Sequence, residues 1–265
     1  MRILAVGDVV GPKGTAYIQK NLWRIRGDCG ADAVILNGEN AAKGNGLDKG
    51  TAETLFAAGA DVITSGNHIW QKHETRHFID DMPYLLRPAN YPDGCPGASA
   101  AVFDTGPVRV LVISMLGTVF MGDAYASPFL TADAVLERFK GTFDAAVIDF
   151  HAEATSEKAA FARYLDGRVS AVFGTHTHVQ TNDARVLPRG TGFVTDIGMT
   201  GVYESIIGVK VERVMEKFLT KMPVRFEEPD EGGVCFNGAV FDVDDASGLC
   251  TGVELLVKRE SEGEK

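Results

Sequence analysis

The chain has 265 residues, 45% of them apolar and 23% charged, and a formal net charge of −10. This length and apolar content can bury one large core, so residues 1–265 are expected to form a single domain. The acidic balance argues against an extended nucleic-acid surface, because phosphate-backbone affinity rests on Lys and Arg contacts, although a small phosphorylated ligand stays open.

Ile3-Leu4-Ala5-Val6 is an apolar run that ends at Gly7-Asp8. Spaced apolar positions Ile18, Leu22 and Ile25 predict a helix over Ala16–Arg26. Ala33-Val34-Ile35-Leu36 then ends at Asn37-Gly38-Glu39-Asn40, and a helix follows over Lys49–Ala58, with Leu55 and Phe56 inward. Asp61-Val62-Ile63-Thr64 leads to Gly66-Asn67-His68 and a predicted helix over Gln71–Asp80. Ser99–Asp104 and Val108–Ser114 flank Thr105-Gly106-Pro107, which reads as a hairpin. After a helix over Asp133–Lys140, Ala145–Ile148 ends at Asp149-Phe150-His151. A helix around Glu157–Leu165 precedes Val169–Phe173, which ends at Gly174-Thr175-His176-Thr177-His178. The tail has strand-like runs at Gly192–Thr195, Val224–Glu227, Val234–Val243 and Val253–Arg259, interrupted by a helix near Val209–Lys221. Such a tail suits a second, largely antiparallel sheet packed on the first. The expected class is α/β: a two-sheet β-sandwich flanked by helices.

No run approaches the roughly 18–20 apolar residues of a membrane span. Met1–Val10 is broken by Arg2, Gly7 and Asp8 and lacks a signal-peptide cleavage segment, so a cytoplasmic address is expected. Cys29, Cys95, Cys235 and Cys250 are far apart with no Cys-x-x-Cys pair, which indicates neither a zinc ribbon nor a disulfide scaffold.

Buried parallel strands read as continuous apolar runs, and ligands of open α/β sheets collect beyond their carboxyl ends. Five such ends therefore aim Asp8, Glu39-Asn40, Asn67-His68, His151 and His176-x-His178 at one crevice. Taken singly, Asp8 is as easily a helix cap and Asn67-His68 a turn. His176-x-His178 is the most specific signal, because in extended backbone residues i and i+2 share a face. Asp, Glu, Asn and His together suit manganese, iron or zinc, and the lack of a thiolate argues against structural zinc.

Three other motifs compete. His73-Glu74-Thr75-Arg76-His77 matches the zinc-peptidase pattern His-Glu-x-x-His, but the charges around it suggest a solvated helix face. Ala42-Lys43-Gly44-Asn45-Gly46 is Gly-rich yet lacks the spacing of a nucleotide-phosphate loop. Gly117–Pro128 carries Thr118, Phe120, Met121 and Tyr125, and reads either as a surface loop packed on its own aromatics or as a lid or base-stacking wall.

The ordered series Gly7-Asp8, Gly38-Glu39-Asn40, Gly66-Asn67-His68, His151 and Gly174-Thr175-His176-Thr177-His178 resembles the calcineurin-like metallophosphoesterases. Within them it is similar to the bacterial YmdB-type branch of cyclic-nucleotide phosphodiesterases. Asn40-Ala41-Ala42, Arg87-Pro88-Ala89-Asn90-Tyr91-Pro92 and Thr195-Asp196-Ile197-Gly198-Met199-Thr200-Gly201 match that branch too, so the likeness runs to about residue 210. Most of the superfamily begins with Asp-x-His, whereas here Asp8-Val9-Val10 lacks the histidine and Asn40 is the expected replacement. An amide oxygen is a harder ligand, which shifts the expected metal toward iron or manganese over zinc.

The resemblance implies a pair of metal ions, with Asp8, Asn40 and His178 on the first, Asn67, His151 and His176 on the second, and Glu39 bridging. It implies in-line attack on phosphorus by a water activated between the ions, with His68 as the general acid. A cyclic nucleotide is the expected substrate, 2′,3′-cyclic ahead of 3′,5′-cyclic. A phosphomonoesterase or 5′-nucleotidase, or a metal-dependent regulatory protein, would carry the same ligands. Homo-oligomers are also suggested, with the late strands available to pair across subunits.

Overall fold

The computed structural model describes residues 1–123 and 125–260. Its amino-terminal third runs β1 (Arg2–Val6), β2 (Asp8–Val9), α1 (Gly11–Cys29), β3 (Ala33–Asn37), α2 (Lys49–Ala57), β4 (Val62–Thr64) and α3 (Thr75–Phe78). The middle adds β5 (Ala100–Asp104), β6 (Arg109–Leu116), α4 (Pro128–Arg138), β7 (Ala145–His151), α5 (Thr155–Tyr164) and β8 (Ala171–Thr175). The tail supplies β9 (Arg185–Val186), β10 (Gly192–Val194), β11 (Met199–Val202), α6 (Val211–Thr220), β12 (Val234–Val243) and β13 (Cys250–Arg259).

The strands form a seven-stranded and a six-stranded sheet, ordered β2-β11-β12-β1-β3-β4 with β13 on β12, and β5-β6-β7-β8-β10-β9. Period-2 alternation explains why the strands are apolar throughout. On β1, Ile3 and Ala5 turn inward with Ile35, Val112, Val147, Phe173 and Phe241 to fill the space between the sheets. Leu4 and Val6 turn outward under α1 and α2, against Ile18, Leu22, Ile25 and Leu55. The second sheet repeats the scheme, with Ile113, Ile148 and Phe150 under Ala132 and Val135 of α4 and Phe161 of α5. Helix α1 is longer than the apolar spacing alone predicts. Pro12 sits in its first turn and Gly30 closes it at φ 62, the left-handed stop that glycine adopts without strain.

The tail does not build the second sheet, contrary to expectation. The middle of the chain does, and the tail is divided: β10 lies parallel to β8, while β12 enters the first sheet antiparallel to β1. Register decides this, because β12 offers Ala239 and Phe241 to the inter-sheet core and Phe236 and Val240 to the α1 side. β12 and β13 pair with each other along their length within the chain. Val224–Glu227 forms no strand. Glu227 instead takes the backbone N–H of Lys210 and the guanidinium of Arg213, which ties the segment to the start of α6.

The predicted helix over Gln71–Asp80 shrinks to four residues at Thr75–Phe78, followed by a 3₁₀ turn at Ile79–Asp81. Buried Thr75 donates its hydroxyl to Leu47 O at 2.8 Å, and this anchor holds the preceding residues in separate turns. His73 thus lies outside the helix that carries His77 and no continuous His-Glu-x-x-His helix forms, although the two imidazoles still stand 5.7 Å apart between ring centroids. All four cysteines are free thiols. Among the described residues no helix is long and apolar enough to cross a membrane.

Candidate metal centre

The ends of β1, β3, β4, β7 and β8 converge and bring Asp8, Glu39, Asn40, Asn67, His68, His151, His176 and His178 to one place. Asp8, Glu39, Asn40 and His151 are buried; Asn67, His68, His176 and His178 are partly exposed. His151 Nε2 stands 3.0 Å from Asn67 Oδ1, 3.0 Å from His176 Nδ1 and 3.3 Å from Glu39 Oε1. On the other side, His178 Nε2 is 3.4 Å from Asn40 Nδ2 and 3.8 Å from Asp8 Oδ1. Glu39 Oε1 touches both groups, since it also accepts from Asn40 Nδ2 at 2.8 Å. One donor atom each from Glu39, His151 and His176 lies within 4.8 Å of the others, a spacing one cation can span.

The electrostatics fit a cation. Asp8 Oδ1 is buried and has no hydrogen-bond partner, a costly arrangement for a carboxylate unless a positive charge faces it. Burial pushes the Asp8 carboxyl up, with the imidazoles of His178 and His151 opposing. Burial also works to raise Glu39, but His151 and His68 outweigh it and hold that carboxyl well below the usual range. Burial lowers His151, yet Glu39 and Asp8 lift it to about 9. Burial and the neighbouring His151 bring His176 down to about 3, leaving a neutral imidazole fit to be a ligand.

Asp8 is no helix cap: α1 begins after Val10 with no side-chain cap. Asn40 and Val10 face each other in an isolated parallel bridge, so Asn40 stands beside the position where most of the superfamily has its first histidine. The pair His176-x-His178 is not extended, as the sequence suggested. β8 ends at Thr175, and His176 and His178 take φ values of 95 and 64. Gly66 is needed for room rather than for a turn. A Cβ there would stand 2.3 Å from Glu39 Oε2 and 2.4 Å from His151 Nε2.

Orienting partners were not anticipated from the sequence. His151 Nδ1 lies 2.9 Å from Thr175 Oγ1, which donates to Asp149 Oδ1 at 2.7 Å. The strand period signals Asp149, because it sits two positions before His151 on the same face. His178 Nδ1 donates to Ile207 O at 2.8 Å, which leaves Nε2 for the cluster, while His176 Nε2 meets Glu153 at 3.2 Å. Asn90 explains part of the Arg87–Pro92 match. It donates to Leu116 O and Ala126 O and clasps both ends of the following loop. In that loop Tyr125 packs on Tyr91 at 5.1 Å between ring centroids, and Phe120 is 85% exposed.

The sequence pattern of the YmdB-like protein family matches residues 4–256. The chain belongs to this family. Its relatives include the 2′,3′-cyclic-nucleotide 2′-phosphodiesterase of Bacillus subtilis strain 168, 44% identical over 257 residues and 97% of both chains. A crystal structure of a hypothetical protein from Thermus thermophilus matches with a TM-score of 0.92 and 41% identity, over 98% of this chain and 100% of that one. A Mycoplasma pneumoniae phosphatase structure matches with a TM-score of 0.91 and 33% identity, over 99% of this chain and 95% of that one. The two-sheet sandwich is thus the metallophosphoesterase fold, and this YmdB-like chain is a hydrolase of phosphate esters.

Proposed function

We propose that the chain hydrolyses 2′,3′-cyclic ribonucleotides at a dinuclear centre. Asp8, Asn40 and His178 hold one ion, Asn67, His151 and His176 hold the other, and Glu39 bridges. The observation that carries this reading is the buried Oδ1 of Asp8, which has no hydrogen bond and meets imidazoles only at longer range, His151 Nδ1 at 3.7 Å and His178 Nε2 at 3.8 Å. The two groups of contacts on either side of Glu39 support two ions rather than one, and the named activity of the Bacillus subtilis relative supports the substrate. The Asn40 amide here turns Oδ1 to His68 and Nδ2 to Glu39 and His178, so a flip of the amide is needed to bring its oxygen to the ion. An amide oxygen where an imidazole is usual suits iron or manganese better than zinc.

Bound ions supply positive charge to the phosphate oxygens and make a water nucleophilic near neutral pH. The protein's part is to hold the ligands and deliver a proton. His68 is aligned by Glu39: the His68 backbone N–H donates to Glu39 Oε2 at 3.1 Å, and its Nδ1 lies 3.1 Å from Glu39 Oε1 and 2.9 Å from Asn40 Oδ1. Nε2 is then the atom free to protonate the departing ribose oxygen, and with 31% of the side chain exposed the ring can regain a proton from water.

The test is hydrolysis by purified protein, with MnCl₂ or Fe²⁺ added, of 2′,3′-cAMP, 3′,5′-cAMP, nucleoside monophosphates and bis-p-nitrophenyl phosphate. Cleavage of 2′,3′-cAMP ahead of the others is expected. Phosphate release from nucleoside monophosphates with both cyclic diesters untouched would replace the diesterase by a monoesterase. Absence of any hydrolysis by metal-loaded protein would leave a regulatory metal site.

A further inference from the structure

The two histidines after β8 sit in backbone that non-glycine residues rarely adopt, with His176 at φ 95 and His178 at φ 64. The His176 N–H donates to Asp8 Oδ2 at 3.1 Å and His178 Nδ1 to Ile207 O at 2.8 Å, and the residue between them supplies a further hold on both. Thr177 turns away from the cluster and gives both donors to Asp196 Oδ2, its backbone N–H at 3.1 Å and its hydroxyl at 2.7 Å. The same oxygen accepts from Lys158 Nζ at 2.7 Å, and Lys158 also donates to Thr175 O at 2.8 Å. Asp196 Oδ1 is occupied by the N–H of Gly198 at 2.8 Å. Lys158 reaches this point from α5 and Asp196 from the segment after β10, so three parts of the chain meet at the turn.

Lys158 and Asp196 have side-chain exposures of 1% and 0%. A fully buried ion pair gives up the hydration of two charges, and well-packed apolar side chains often serve stability as well or better. Its distinguishing property is geometric: it fixes the donors and acceptors around it in one arrangement. Gly174 makes room for it, since a Cβ there would strike Thr195 O at 1.7 Å and crowd the Lys158 chain at 3.0 Å.

We propose that Lys158, Asp196 and Thr177 form a brace that positions His176 and His178 together, so that one buried ion pair sets the geometry of both halves of the metal centre. This rests on the metal-centre reading above. Lys158, Asp196 and Thr177 are positioning residues and touch no substrate. Removing the brace frees the turn to relax toward ordinary backbone and moves both imidazoles at once.

The experiment compares Thr177→Val, Thr177→Ser and Asp196→Asn with the wild type. Calorimetric titration of metal-depleted protein with MnCl₂ gives affinity, and ¹⁵N shifts of the imidazoles in metal-depleted protein give ring placement. Thr177→Val keeps shape and loses one donor. It should weaken Mn²⁺ binding about ten- to a hundred-fold, the usual effect of removing an outer partner of a metal ligand. Thr177→Ser, which keeps the hydroxyl, should restore it. Asp196→Asn should weaken binding at least as much. Before any metal is added, Thr177→Val should also change the His178 signal, whose Nδ1–H is fixed on Ile207 O.

A lowered melting temperature with unchanged Mn²⁺ affinity and unchanged imidazole signals would make the brace merely structural and overturn the proposal. Wild-type protein that takes up no Mn²⁺ would overturn the metal-centre reading instead. The imidazole signals of metal-depleted Thr177→Val would then still decide the brace, and no change in them overturns it.

Discussion

Asn37 donates from Nδ2 to Asp149 Oδ2 at 2.8 Å, a buried bond between the last residue of β3 and a residue of β7. It joins the two sheets one strand period before Glu39 and His151, the residues those strands present to the centre. Asp149 gathers more than this. Thr64 of β4 and Thr175 of β8 both donate their hydroxyls to it, so one carboxylate binds two strands of each sheet counting its own. Burial lifts its pKa to about 6, against the opposing effect of His151 and the three donors.

Asp149→Ala should therefore be costly for a reason separate from lost volume. Asn37, Thr64 and Thr175 would lose their short acceptor, with only 3.4 Å contacts to Thr175 Oγ1 and Leu36 O left to Asn37 and Thr64, at about 1–3 kcal/mol for each group left unsatisfied. The contributions will not add fully, and a loss of about 3 kcal/mol or more is expected in urea unfolding of metal-depleted protein. A loss below about 1 kcal/mol would mean that water or a rearrangement satisfies the donors.

The acid limb of stability has a different origin, on the surface. The Arg109 guanidinium reaches Asp144 Oδ1 at 2.8 Å and Oδ2 at 3.0 Å, and its backbone N–H adds a third bond. These bonds, with the charge of Arg109, bring the Asp144 carboxyl down to about 2 from the ordinary 3.8. A carboxyl whose pKa is lower in the folded state stabilises fully above its unfolded value and loses that contribution as pH falls through the folded one. The melting-temperature gap between wild type and Asp144→Asn should thus be constant above about pH 5 and narrow steadily from about pH 4 down through about pH 2. A gap as wide at about pH 2 as at about pH 5 would assign the difference to packing.

The approach of the five strand ends was legible because each buried strand is a plain apolar run that stops at a polar motif, as Ala33–Leu36 does before Glu39. The tail misled because Val234–Val243 alternates like any half-buried strand and nothing local tells which sheet it will join. That choice depends on partners more than 200 residues away, as in the pairing of Ala5 with Ala239. The Gln71–Asp80 segment failed for a similar reason, since its spacing is helical but the Thr75 anchor on Leu47 is tertiary. At the centre the residue types that meet could be read from the sequence. The left-handed backbone of His176 and His178 could not, because Lys158 and Asp196 impose it from elsewhere in the chain.

Two substitutions separate a bridging ligand from a terminal one. Glu39 Oε1 contacts both halves of the cluster, so Glu39→Ala should lose both ions together. Asn40 faces His178 alone among the histidines proposed as ligands, so Asn40→Ala should weaken the first ion and leave the second largely occupied. Metal content after gel filtration checks this, with roughly two ions per wild-type chain, one for Asn40→Ala and none for Glu39→Ala, by the logic of a two-metal site. Equal loss in both variants would remove Asn40 from the first ion. A fully active wild type carrying a single ion would remove the dinuclear centre altogether.

The role of His68 can be isolated by the leaving group. Its Nδ1 is engaged by Glu39 and Asn40 and its Nε2 is left for a proton, so His68→Ala should retain the metals and the fold while slowing turnover. Loss of a general acid typically costs on the order of 10²–10⁴ in rate, and that range is expected with 2′,3′-cAMP. Bis-p-nitrophenyl phosphate releases a phenolate that is stable without a proton, so the same variant should lose far less on it. A metal ligand or a phosphate-positioning group would slow both substrates alike. The ratio of the two losses, measured on protein of verified metal content, distinguishes the roles, and a ratio near one would end the assignment of His68 as the acid.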